Sequence, residues 1–150
     1  SLVPRLRIWQ GSINIIAEHP FTGVGQSNFN KHLVLQIKDN KIEPIRNDPN
    51  KLAAGLNHAH NQYLDIFAKT GIIGLIVLLF FLFMNLLFFL KRYVKNKDCF
   101  FSKAGLLTII SYSTYMVNHN IISHQQSSLF LSFFLIILAG LTNYNLSKAK

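Results

Sequence analysis

The sequence predicts an all-α integral membrane protein: about three transmembrane helices preceded by a helical segment on the outer side. Three observations carry this. Half of the 150 residues are hydrophobic and only 14% are charged, against about 25% in an average soluble domain. The apolar residues collect in long charge-free runs, and the basic residues collect at the ends of those runs.

The first run, Gly71 to Leu90, reads GIIGLIVLLFFLFMNLLFFL, with Asn85 as its one strongly polar residue. About 20 such residues cross a bilayer core as a helix, and a soluble core helix would show a polar stripe. No charge appears between Lys103 and Lys148. That stretch holds two more candidates, 104–118 and 128–144. The earlier one carries Thr108, Ser111, Ser113 and Thr114, hydroxyls that suit a helix packed inside a bundle. The polar, uncharged stretch 119–127 between them reads as a short turn. The chain thus divides into an outer segment, residues 1–69, and a membrane segment, residues 70–150.

Orientation follows from Lys and Arg near the span ends. Residues 91–103 carry Lys91, Arg92, Lys95, Lys97 and Lys103 against Asp98, and the tail adds Lys148 and Lys150. The turn at 119–127 has neither Lys nor Arg. Residues 91–103 and 145–150 are therefore expected in the cytoplasm, with residues 1–69 outside. The net charge of +9 is no nucleic-acid footprint, because its basic residues form no single motif. A single cysteine, Cys99, rules out an intrachain disulfide framework or a CxxC metal site, and its place in the cytoplasmic loop suits a reduced thiol. An outward segment with no signal peptide before it suggests a missing upstream part.

In the outer segment, Ile8, Trp9, Ile13, Ile16 and Ala17 make a helical stripe that Pro20 ends. Gly23 and Gly25 form a GxG with no GK[ST] after it, which reads as a tight turn joining two helices. Residues 38–57 are polar, with two prolines, and read as an exposed, solvated loop. Asn57 is placed to cap a helix running on into the first span, with Leu64, Phe67 and Ala68 buried. On one helix His58 and His60 would point about 200° apart. Joint metal binding would need an extended segment and a third ligand, and His19, His32, Asp65, His119 and His124 have no distinctive spacing for one. A neutral imidazole here either takes a proton from an attacking hydroxyl or donates a hydrogen bond to a phosphate.

Three segments in order carry a family resemblance: R-x-x-x-W at Arg5 to Trp9, HPFTGVGQSNF at His19 to Phe29, and HAHNQYLDIFAKTGIIGL at His58 to Leu75. Together they resemble the O-antigen ligase and O-antigen polymerase superfamily. The resemblance implies the C-terminal part of a GT-C-like glycosyltransferase of the bacterial inner membrane, with residues 1–69 in the periplasm. It implies transfer of an undecaprenyl-diphosphate-linked glycan to a lipid A-core sugar hydroxyl, as in the ligases. The polymerases pass the glycan to another repeat unit, and the protein O-oligosaccharyltransferases to Ser or Thr. No metal, cofactor or nucleic acid is implied. Arg5 matches the family's arginine and is expected at the diphosphate, with Arg7 as a substrate-binding helper. His60 matches the functional histidine, with His58 and Asn61 beside it as substrate-binding neighbours, Asn61 orienting the histidine or capping the helix. Family members have many more spans, so the isolated chain is expected to be inactive without an upstream bundle. A non-enzymatic membrane assembly or sensor subunit would also explain the spans, but it gives no reason for Arg5 and His60.

Overall fold

A computed structural model describes residues 2–45, 55–120 and 125–148. The described residues form five helices: α1 (Leu2–Glu18), α2 (Phe29–Lys38), α3 (Gln62–Lys95), α4 (Phe100–Tyr115) and α5 (Gln125–Lys148). Among the described residues there is no strand. The chain divides into two compact units, Ser1–Val77 with Val117–Asn120, and Leu78–Met116 with Ile121–Lys150.

In the first unit, called the outer unit after the placement expected for residues 1–69, α1 and α2 pack on each other around Ile8, Ile15, Phe29, Leu33 and Ile37. The buried line of α1 is Ile8, Gly11, Ser12 and Ile15, so Ile13 and Ala17 of the expected stripe face outward instead. The reason is close approach: Gly11 admits the Leu33 and Ile42 side chains against the α1 backbone, which turns the helix toward its small residues.

Residues 38–45 depart from the solvated loop that their composition predicts. Ile42 and Ile45 are buried in the same core. Lys41 pairs with Glu18 at 2.6 Å, and Arg7 pairs with Glu43 and donates from Nη1 to the Pro44 carbonyl at 2.6 Å. Two isolated isoleucines in a polar stretch give no periodicity, yet burying each stabilises the fold by about 1.5–3 kcal/mol. The rest of the expected loop, 46–54, lies outside the described residues, as do 121–124 of the expected turn, including His124.

In the second unit α4 and α5 pack together. Buried positions there hold small or hydroxyl side chains, Ser102, Gly105 and Thr142, alongside Leu131, Leu135 and Leu138. Gly105 lies directly against the Phe89 ring. Thr108, Thr114 and Thr142 donate to the carbonyls of Ala104, Ile110 and Leu138, each one turn back. These hydroxyls satisfy themselves within their own helix, rather than across the bundle. Arg92 lies over the Phe88 ring and donates from Nε to Asn143 Oδ1 at 2.8 Å.

Among the described residues two helices are long and apolar enough to cross a membrane, Gln62–Lys95 with 34 residues and Gln126–Asn145 with 20. The expected span at 104–118 corresponds to α4, whose 16 residues rise about 24 Å, short of a ~30 Å hydrocarbon core.

Candidate active site

The three sequence segments meet in the outer unit, and α3 is where they meet. Gly71 breaks the helical path of α3, with φ 70° and ψ −166°. A break there strips backbone groups of their helical partners, and buried backbone groups need replacements. The Pro20–Gly25 turn supplies them. Ile72 N–H donates to the Pro20 carbonyl at 2.8 Å, Val24 N–H donates to Ala68 O at 3.0 Å, and Gly25 N–H to Lys69 O at 2.8 Å. The approach is too close for side chains. A Cβ on Gly71 would collide with the Phe21 carbonyl, and one on Gly23 (φ 63°) with the Lys69 backbone. Both positions also have left-handed φ, which glycine adopts at no steric cost.

The His58–Asn61 segment is non-helical and precedes α3. The helix cap is Asn61, not Asn57: Asn61 Oδ1 accepts the N–H of Tyr63 at 3.0 Å and of Leu64 at 3.1 Å, as N-caps do. Outside the helix, His58 and His60 escape the 200° divergence. Their rings stand edge to face, 4.4 Å between centroids. His60 holds φ 53°, a left-handed conformation that is uncommon outside glycine and gathers at functional sites.

Two anchors hold this segment through Ala59, which is fully buried. Trp9 Nε1 on α1 donates to the Ala59 carbonyl at 3.0 Å. Ala59 N–H donates to Asp65 Oδ1 at 2.8 Å. The other Asp65 oxygen receives Lys69 Nζ at 2.8 Å, with both side chains 1% exposed. The Lys69 ammonium also sits 5.3 Å from the Phe29 ring centroid. Ala68 is fully buried as expected, and Gln62, Asp65 and Lys69 are deeply buried with it, while Leu64 and Phe67 are half-buried. The expected apolar face is partly replaced by an ion pair. The Asp-x-x-x-Lys spacing of Asp65 and Lys69 was the available signal, since residues four apart are neighbours on a helix.

Electrostatics link the segments too. Burial lowers the His60 pKa below the ordinary histidine value, and the neighbouring charges of His58, Arg5 and His119 lower it further, against an opposing pull from Asp65. Arg5 is half-buried on α1, one turn before Trp9, so its cation and the His60 imidazole are brought within electrostatic reach. Arg7 is directed to Glu43 and Pro44. Asn61 is buried with its side-chain oxygen engaged in the cap. His19 and His32 form a separate edge-to-face pair, 5.3 Å between centroids, where burial and then His19 lower the His32 pKa. Among the described residues no three His, Cys, Asp or Glu side chains converge as a metal site requires.

Comparison with known proteins bears on this same region. A family model described as O-antigen ligase matches residues 1–79, which include Arg5, Trp9, the Pro20–Gly25 turn, the His58–Asn61 segment and the Gly71 break. A Haemophilus influenzae protein described as uncharacterized is 24% identical over 134 residues, covering 87% of this chain and 31% of its own length. The chain therefore spans about a third of that relative. With more than half of its residues under the family model, and all three sequence segments gathered there into one unit, the chain belongs to the O-antigen ligase family.

Proposed function

We propose that this chain forms the catalytic outer segment and adjoining spans of an O-antigen ligase of the bacterial inner membrane. The donor is an undecaprenyl-diphosphate-linked glycan and the acceptor a hydroxyl of a lipid A-core sugar. The acceptor oxygen attacks the anomeric carbon, the bond from that carbon to the diphosphate breaks, and the diphosphate leaves with the electron pair. His60 takes the hydroxyl proton or orients the hydroxyl, and Arg5 meets the negative charge that develops on the leaving group. Cationic donors placed where charge develops are a major source of catalysis, and an arginine fork matches phosphate oxygens. His58 orients His60 and contacts substrate beside it. Asn61 fixes the segment by capping α3, and Arg7 holds the 38–45 strap beside the substrate.

The observation supporting this reading is that burial, His58 and then Arg5 lower the His60 pKa below the ordinary histidine value, which favours the neutral form that accepts a proton. In this reading an upstream transmembrane bundle completes a GT-C-like site, with α4 as a third, short span inside it, and the greater length of the relative leaves room for such a bundle. The basic residues in the last turns of α3, just beyond it and at the end of α5 support a cytoplasmic 91–103 and 145–150 and a periplasmic 1–69. The isolated 150-residue chain is then inactive.

The test is deletion of the intact gene, complemented with wild type, Arg5→Ala or His60→Ala. Deletion leaves lipid A-core without polymer while carrier-linked polymer accumulates. Both variants insert but transfer at least about 100-fold more slowly. A single repeat unit on the core would mark a polymerase. Loss of glycan from protein Ser or Thr, with normal lipopolysaccharide, would mark a protein O-oligosaccharyltransferase. Normal surface glycan in both variants would leave a non-enzymatic assembly or sensor subunit.

A further inference from the structure

Asn120 is a buried polar residue that the site described above leaves unused. It follows α4 but belongs, with Val117–His119, to the outer unit that holds His60. It is 3% exposed. Its side-chain Nδ2 and Oδ1 are both buried, and neither makes a hydrogen bond. Native proteins satisfy the large majority of buried polar side-chain atoms, and each exception calls for a reason. Other deeply buried polar side chains are engaged: Ser12 with Ile8, Gln36 with Gly11, Asp65 with Lys69, Ser102 with Cys99 and Thr142 with Leu138. Asn120 is a buried amide with neither of its functions engaged by the protein. Its sequence neighbour His119 is close enough to His60 for its charge to act on that imidazole, which puts the 117–120 segment at the candidate site.

The chemistry of the amide narrows the ligand. A carboxamide presents N–H donors and a carbonyl acceptor side by side. A phosphate only accepts, so it would leave the carbonyl oxygen facing an anion. Adjacent hydroxyls of a sugar each donate and accept, and match both halves at once. A site built to hydrogen-bond a hydroxyl leaves its polar groups unpaired until the substrate arrives.

We propose that Asn120 is a sugar-binding residue of the transfer site, its Nδ2 donating to one hydroxyl of a glycan and its Oδ1 accepting from the adjacent hydroxyl. This rests on the glycan-transfer reading above. The shared chemistry is a pair of sugar hydroxyls, which either the donor glycan or the acceptor core provides.

The test uses the intact gene product, purified and reconstituted in lipid vesicles, with Asn120→Leu, Asn120→Ala and His60→Ala measured together. Asn120→Leu replaces an unpartnered amide by an apolar group of similar size, which is neutral or stabilising where no bond is lost. The expected result is a thermal midpoint equal to or above wild type, with KM for one of the two glycans raised roughly 10-fold or more, as loss of one or two hydrogen bonds implies. Whichever KM rises identifies the glycan that Asn120 holds. Asn120→Ala shows the same KM rise. Unchanged KM values for both glycans overturn the proposal, as does a fall in kcat alone. A lowered midpoint, or failure of both Asn120 variants to accumulate, also overturns it, because the amide is then structural. If His60→Ala retains full transfer, the reading of the site fails on its own account. If His60→Ala abolishes transfer while the Asn120 variants bind both glycans normally, only the Asn120 assignment falls.

Discussion

The two units of this chain differ most in what they turn outward. In the outer unit the interior holds Ile8, Ile15, Phe29 and Leu33, and also the Asp65–Lys69 ion pair. In the second unit Phe80, Phe83, Leu107, Leu129, Phe133 and Ile136 point outward, and Ser102, Gly105 and Thr142 lie inside among Phe89, Ile109, Leu131, Leu135 and Leu138. The surroundings explain the difference. Against lipid, burying a leucine gains little, so helices associate through small residues that permit close approach. Against water, burial of apolar area drives folding, and the outer unit has enough of it to carry a charged pair in its interior. The pair is weak evidence for stability, because desolvating two charges offsets most of their attraction. Its role is read better from what it touches, the Ala59 amide beneath His60.

That reading gives the largest expected effect. Asp65→Ala leaves Lys69 buried without its carboxylate and should destabilise the outer unit by about 3–5 kcal/mol. The double variant Asp65→Leu with Lys69→Met should recover most of that stability, yet leave glycan transfer low because Ala59 N–H has lost its acceptor. Denaturant unfolding beside a transfer assay decides it. Full activity in the double variant would reduce the pair to packing.

The next effect compares one substitution in both units. Phe29→Ala, at a fully buried position, should cost about 3–5 kcal/mol. Phe133→Ala, at a position 66% exposed on the apolar surface of α5, should stay within about 0.5 kcal/mol. Equal losses by thermal unfolding in lipid would break the contrast between the two interiors.

A smaller effect is expected at Trp9. Trp9→Phe keeps the ring but removes the donor to the Ala59 carbonyl, at a cost of about 1 kcal/mol. Transfer should fall more than stability does, since His60 loses one of its two anchors. Parallel losses would mean that the bond is only structural.

The smallest effect is a shift along the pH axis. The His60 pKa is lowered by burial and by His58, Arg5 and His119. If the neutral imidazole is the active form, the rate rises with pH through that lowered value and levels off above it. The acid limb of the profile should then lie below the ordinary histidine pKa. His119→Ala removes one cationic neighbour and should move the limb upward. The same sign holds for folding. Below the ordinary value the unfolded chain binds the proton more readily, so stability should fall as pH drops toward the native pKa. An acid limb at the ordinary value, unmoved by His119→Ala, would detach His60 from the reaction.

Much of this architecture was readable because it rests on long patterns. The charge-free run from Gly71 to Leu90 and the apolar run of α5 are the two helices long and apolar enough to cross a membrane among the described residues, and both are written in composition. Arg5, Trp9 and His60 were found by their order in the chain, and they do meet in one unit. What stayed hidden depends on single contacts. Ile42 and Ile45 sit in a polar sequence with no period to betray them, and Gly11 decides which face of α1 turns inward through one close approach. Asn57 and Asn61 are equally good caps by residue type. The choice falls to Asn61 because Ala59 is held on both sides, which delays the start of the helix. The unpartnered amide of Asn120 has no sequence signal, since only burial distinguishes it from an ordinary loop asparagine.

The break at Gly71 has a consequence for how this region tolerates change. Its lost helical bonds are replaced by main-chain atoms of Pro20, Val24 and Gly25, so the joint is written in backbone and not in side chains. Phe21 and Thr22 are exposed and carry little of that information. A designer could rewrite them freely and keep the splint, provided that Gly23 and Gly71 stay bare. The segment that looks most like a recognition motif is, in this sense, a piece of carpentry, and its spelling is constrained mainly where nothing protrudes.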